Sequence, residues 1–186
     1  MAASVAKAAR NLGVPPDGAR RLGMAHALAM ASRIRRLDDD HHPLYLHPGR
    51  TALILMRDVA CGDPLVLAAA MMVESEDAEF RVDGAVIESS LGPEVAELVR
   101  AVPLPDSETL AETLVVGREP VRLVALAERL DHLRHAHLRD APADWRREAH
   151  HQAEQVYRPV AHRTHPRLAQ RYDHWCRTFA KRLSRS

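Results

Sequence analysis

Nine consecutive apolar residues, Leu65 to Val73 (LVLAAAMMV), constrain the fold of this chain more than any other feature. Asp63 supplies an N-cap and Pro64 the first helical position, so the run reads as a helix from Pro64 to about Glu74. A helix that is apolar nearly all round has no face for water and must be packed on every side, which puts it at the centre of a helical bundle. It falls well short of the roughly eighteen apolar residues of a membrane span, and no other stretch reaches that length.

The remaining punctuation agrees with an all-α chain. Ser4 to Leu12 reads as an opening helix closed by Gly13 and Pro15-Pro16. Asp17 caps a second helix to about Leu37, with Gly18, Leu22, Ala25, Ala29 and Ser32 as its small-residue stripe. A third runs from about Pro48 to Ala60 and ends at Cys61-Gly62. Asp83 opens a helix to Leu91, Gly92 stops it, and Pro93 starts EVAELVRAV. Ser107 with Glu108 begins a short helix, and Glu119-Pro120 begins VRLVALAERLDHLRHAH, whose buried stripe is Leu123, Leu126, Leu130 and Leu133. Pro142 starts a helix toward Tyr157 that Pro159 perturbs by removing a backbone donor, and a basic helix covers about 166–183. No strand alternation and no internal repeat interrupts the series, so residues 1–186 are expected to form one domain.

Charge and cysteine content narrow the function. Lys plus Arg (26) nearly balances Asp plus Glu (25), a formal charge of +1 that gives no field for nucleic acid, so DNA binding is not expected. Cys61 and Cys176 have no CxxC spacing and imply neither a disulfide scaffold nor a cysteine zinc site. The opening residues lack the continuous apolar core of a signal peptide. A cytoplasmic protein without a membrane association is the expectation.

Twelve histidines raise the question of a metal, but no HExxH or HxxxH ligand motif accompanies them. Glu128, Asp131, His132 and His135 share one side of their helix at i, i+3, i+4 and i+7. That pattern fits either a charged stripe facing solvent opposite the leucines or four ligands on one face. Glu74-Ser75-Glu76-Asp77, directly after the apolar helix, reads either as acids at the mouth of the bundle, able to orient water or a divalent ion, or as a helix end fraying into an acidic loop.

Taken in order, His47-Pro48, the apolar helix ending in Glu76-Asp77, LGPEVAELV at Leu91 to Val99, VALAER at Val124 to Arg129, and YRPVAHR at Tyr157 to Arg163 form a recognisable series. Over about 47–163 the chain resembles the hydrolase domain of the RelA/SpoT family, which removes pyrophosphate from the alarmone (p)ppGpp with a metal held by an HD motif. The resemblance implies an HD-domain-type helical bundle, here as a stand-alone domain. It places His47 at the family's first metal histidine and Glu128 at its last metal aspartate. Met72 and Val73 fall where the HD pair belongs; a shift of one residue would put Val73 and Glu74 there but would throw Glu76-Asp77 out of register. Glu76 and Asp77 match the acids the family uses near the attacking water, and His132 stands at its catalytic asparagine. Asp38 and Asp39 replace the arginine-lysine pair that contacts the nucleotide, a charge reversal that opposes a polyphosphate.

Of the four metal positions, His47 is kept, Glu128 is a longer substitute, and methionine and valine offer nothing to Mn²⁺ or Mg²⁺. Losing a supporting partner typically costs about 10–100-fold in affinity or activity, and losing direct ligands costs more. The leading expectation is therefore a catalytically degenerate domain without a bound metal, with Glu76, Asp77 and His132 vestigial, serving as a regulatory module for a nucleotide or protein partner. Two alternatives stand beside it. One is a phosphohydrolase dependent on Mn²⁺ or another divalent metal, acting on (p)ppGpp or a related nucleotide through a site rearranged from His47, Glu76, Asp77, Glu128 and His132. The other is a helical interaction module that makes contact through its arginine-rich C-terminal end.

Overall fold

A computed structural model describes residues 1–34, 44–76, 79–135 and 143–183. Asp38, Asp39 and Asp77 lie outside the described residues. The helices are α1 (Ala2–Asn11), α2 (Pro16–Ile34), α3 (His47–Ile54), α4 (Pro64–Met72), α5 (Gly84–Leu91), α6 (Pro93–Ala101), α7 (Leu110–Val116), α8 (Glu119–His135), α9 (Ala143–Gln152), α10 (Arg158–Thr164) and α11 (Pro166–Leu183). No strand occurs among the described residues.

Helix α4 is the centre, as its apolar run requires. It packs against α2, α3, α6 and α8, and every residue from Val66 to Met72 is buried. Asp63 caps it, accepting from the Leu65 amide at 2.8 Å, and Asp83 caps α5 in the same way through Ala85. Gly92, at φ 98°, occupies backbone space open to glycine and turns the chain from α5 into α6, where Pro93 takes the first position. Leu67 is fully buried in this centre, so Leu67→Ala should lower the unfolding free energy by about 2–5 kcal/mol, read from urea denaturation.

Three local departures matter for the site. The α2 stripe continues from Gly18, Leu22, Ala25 and Ala29 to Arg33, which is buried, and not to Ser32, which is half-buried. The third helix widens after Ile54 into a π-helical turn, Leu55–Val59, and ends at Ala60, a non-glycine residue in the left-handed region at φ 56°. Pro159 acts as expected: it cannot donate to the helical ladder, and the turn before it, Ala153–Tyr157, opens to π-helical spacing ahead of α10.

The last helix is amphipathic. Leu168, Tyr172 and Cys176 are buried, and the Tyr172 hydroxyl donates to the Leu126 carbonyl of α8 at 2.8 Å. This bond ties α11 to the middle of the helix that carries Glu128 and His132. No described helix is long and apolar enough to cross a membrane.

Candidate metal centre

The charged side of α8 faces inward. Glu128, Asp131 and His132 are 7%, 2% and 9% exposed, which overturns the solvent-facing stripe the spacing allowed. Burial is tolerated because each group is partnered: Asp131 by His47 and Arg50 of α3, His132 by Glu74, and Glu128 by His132 and Arg129 of its own helix.

At the end of α4 the chain tightens into a 3-10 turn, Val73–Glu76. Within this turn Glu74 is buried, 9% exposed, whereas Glu76 two residues on is exposed. The Glu74 carboxylate meets α8 and α2 together. Glu74 Oε1 lies 2.8 Å from His132 Nε2, and Arg33 of α2 donates to Glu74 Oε2 in a buried ion pair. The Arg33 guanidinium also lies over the Phe80 ring, 4.5 Å from its centroid. His132 Nε2 is 3.1 Å from Glu128 Oε1 as well, so two carboxylates converge on one imidazole nitrogen.

His47 enters at the first residue of α3 and is buried. Its Nδ1 is 2.8 Å from Asp131 Oδ2, and its Nε2 is 3.7 Å from Glu74 Oε2. Burial holds the His47 pKa below the usual histidine value despite the neighbouring carboxylates. The ring is therefore neutral near pH 7, donating from Nδ1 to Asp131 and leaving Nε2 as an acceptor, 3.2 Å from the Thr51 hydroxyl and on the side of Glu74. Burial by itself raises the Asp131 carboxyl, but hydrogen bonds from His47 and Arg50, with the charge of Arg50, outweigh it and hold it below the usual range. Arg50 closes this arm, its Nε 2.9 Å from Asp131 Oδ1.

The ligand atoms of His47, Glu74, Glu128 and His132 all lie within 4.8 Å of one another. Two imidazoles and two carboxylates suit Mn²⁺, Zn²⁺ or Fe²⁺. The supports around them fit a metal as well: a carboxylate on the far nitrogen of His47, and an arginine on the far oxygen of Glu74. A single imidazole nitrogen cannot donate to two carboxylates with good geometry, whereas a cation between them satisfies both. The residues present fit a divalent metal.

The predicted site residues thus divide. His47, Glu128 and His132 are brought together. Glu76 is exposed, outside the donor cluster but on the wall of the adjoining cavity. Met72 and Val73 are buried in the core. Arg33 was passed over in the sequence, and Glu74, named there among the acids after the apolar helix, was left out of the ligand set because the ungapped match was preferred to the one-residue shift that places it at the second position of the motif.

The cluster opens on a cavity of 540 Å³ whose floor includes Glu74, Glu128 and His132. Phe80, Leu104 and Trp145 give it apolar walls, and Glu76, Glu79 and Asp106 line it with acid. Arg129 is the one arginine or lysine among its described lining residues; its side chain lies against Glu128 at 3.7 Å and over the Tyr157 ring.

No protein-family model and no curated protein sequence matches the chain. Among solved structures it is similar to one reported as a metazoan ortholog of SpoT that hydrolyzes ppGpp and plays a role in starvation responses. The two share 21% identity at a TM-score of 0.71, over 85% of this chain and 94% of that one. The fold is therefore the all-α, HD-type bundle that the sequence resemblance implied, shared with that hydrolase over most of both chains.

Proposed function

We propose that this chain is a divalent-metal-dependent phosphohydrolase acting on a nucleotide phosphate through a rearranged ligand set, His47, Glu74, Glu128 and His132. The convergence of these four donors on the floor of an open cavity carries the reading. The cavity's 540 Å³ lies in the range of small-molecule sites. A bound divalent ion supplies Lewis-acid polarisation of a phosphoryl oxygen and a more acidic water. The protein's own groups do the positioning. Asp131 fixes the His47 tautomer, Arg33 fixes the Glu74 carboxylate, and Glu76 on the cavity wall is the acid available to accept a proton from an attacking water.

The acidic lining bears on the substrate. Glu76, Glu79 and Asp106 oppose a ligand as strongly anionic as (p)ppGpp, while Phe80 and Trp145 offer surfaces for a base. The reading is thus a nucleotide with fewer phosphates. With Mn²⁺ present, the expected result is phosphate release from nucleoside monophosphates, or cleavage of phosphodiesters to monoester and alcohol, faster than pyrophosphate release from ppGpp, and loss of all of these in His47→Ala, Glu128→Ala. Release no greater than that of the double variant on any of these substrates contradicts it.

One observation favours the non-hydrolytic alternative, a domain that binds a nucleotide or protein partner without turnover. Arg33, Arg50 and Arg129 lie against Glu74, Asp131 and Glu128, so three cations match three carboxylates without a metal. On that reading the purified protein takes up no stoichiometric Mn²⁺.

A further inference from the structure

We propose that a second cleft, on the side of α8 turned toward α11, binds the phosphate group of a small molecule. The cleft encloses 300 Å³ and is lined by Arg50 of α3, Arg57 and Asp58 of the π-helical turn, Asp131, Arg134 and His135 at the end of α8, and Arg171 of α11. Both of its acids are already engaged. Asp58 takes Arg171 in a two-pronged pair, with Nη2 2.8 Å from Oδ1 and Nε 3.2 Å from Oδ2, and Asp131 holds Arg50 and His47. Arg57 and Arg134 make no ion pair with any described residue, so the cleft keeps two uncompensated guanidinium charges.

That imbalance separates this cleft from the metal centre, where arginines and carboxylates match one for one. Like charges gathered around a concave space repel, and an anion between them relieves the repulsion. Guanidinium forks match phosphate oxygens in geometry as well as charge. A volume of 300 Å³ stands at the small end of ligand sites, enough for a phosphate or pyrophosphate group and too little for a macromolecular surface. The π-helical turn contributes by widening the ladder where it presents Arg57 and Asp58 toward α11, and such turns recur at functional sites.

Occupancy reaches the metal centre through Arg50, Asp131 and His47 in sequence, a consequence that rests on the metal reading, whereas binding itself does not. The test is calorimetric titration of the full chain, in chelator and at fixed ionic strength, with inorganic phosphate, pyrophosphate and a nucleoside triphosphate in separate arms. Saturable binding of one molecule per chain is expected, weakened at least tenfold in Arg57→Ala, Arg134→Ala. Tightest binding of pyrophosphate identifies the free anion as the source, and tightest binding of the triphosphate a nucleotide tail. Arg57 is exposed, so Arg57→Ala alone serves if the double variant does not fold. Absence of saturable binding in all three arms, or binding that the arginine variants retain unchanged, overturns the proposal. Because metal is excluded throughout, an inactive or metal-free centre leaves this result unaffected.

Discussion

Replacing Glu74 with alanine is expected to abolish stoichiometric Mn²⁺ binding and to lower phosphate release by more than the about 10–100-fold typical of losing a supporting partner. Glu74 stands between both histidines of the cluster, 2.8 Å from His132 and 3.7 Å from His47. Without it the remaining donors are two imidazoles and Glu128, and the buried Arg33 cation loses the carboxylate it pairs with there. That cation repels an incoming metal, so the loss exceeds that of one ligand alone. Metal content per chain after dialysis against Mn²⁺ measures the first effect and single-turnover assays the second. Glu76→Ala, on the cavity wall, is expected to leave metal content at the wild-type level. Equal metal content in wild type and Glu74→Ala contradicts the assignment.

Arg33→Met should be among the most destabilising single changes in the chain. Arg33 is 2% exposed and Glu74 9%, and removing one partner of such a buried pair typically costs about 3–5 kcal/mol because the other charge is left uncompensated. For a domain of this size that is a fall in Tm on the order of 10 °C. Arg33→Met, Glu74→Met should recover most of it, since two apolar side chains of similar volume need no pairing. The metal reading adds a distinct signature: Mn²⁺ should protect the Arg33→Met protein more than wild type, because the ion supplies the missing positive charge at Glu74. Thermal melts of the three proteins with and without Mn²⁺ check this, and a cost below about 1 kcal/mol for Arg33→Met contradicts the buried pair.

The fold was legible in the sequence because its signals are local. Asp63-Pro64 and Asp83 cap the helices they precede, Gly92-Pro93 separates two more, and the uninterrupted run to Val73 could be satisfied only at the centre. Pro159 likewise announced the π-helical turn before it. Three of the four donors, His47, Glu128 and His132, stand at positions the family series picks out. The rest of the site depends on contacts that no spacing encodes. Arg33 and Glu74 are 41 positions apart and His47 and Asp131 are 84 apart, so neither pairing could be read from the sequence. A small error in phase compounded this. Taking Ser32 as the end of the α2 stripe hid the one arginine that the bundle buries there. The acids after α4, which the sequence left as the mouth of the bundle or a fraying helix end, form a 3-10 turn in which Glu74 is buried. The charged face of α8 was ambiguous for the same reason: the i, i+3, i+4, i+7 pattern states which residues share a side, and only the packing of α2, α3 and α4 decides what that side meets.

The central claim is that His47, Glu74, Glu128 and His132 form one divalent metal site. Calorimetric titration of chelator-treated protein with Mn²⁺, alongside His47→Ala and Glu74→Ala, tests it most directly. One ion per chain is expected for the wild type and no saturable binding for either variant. A wild-type protein that takes up no ion, or variants that bind as tightly as wild type, would show that the arginine-balanced cluster is a closed network and not a metal centre.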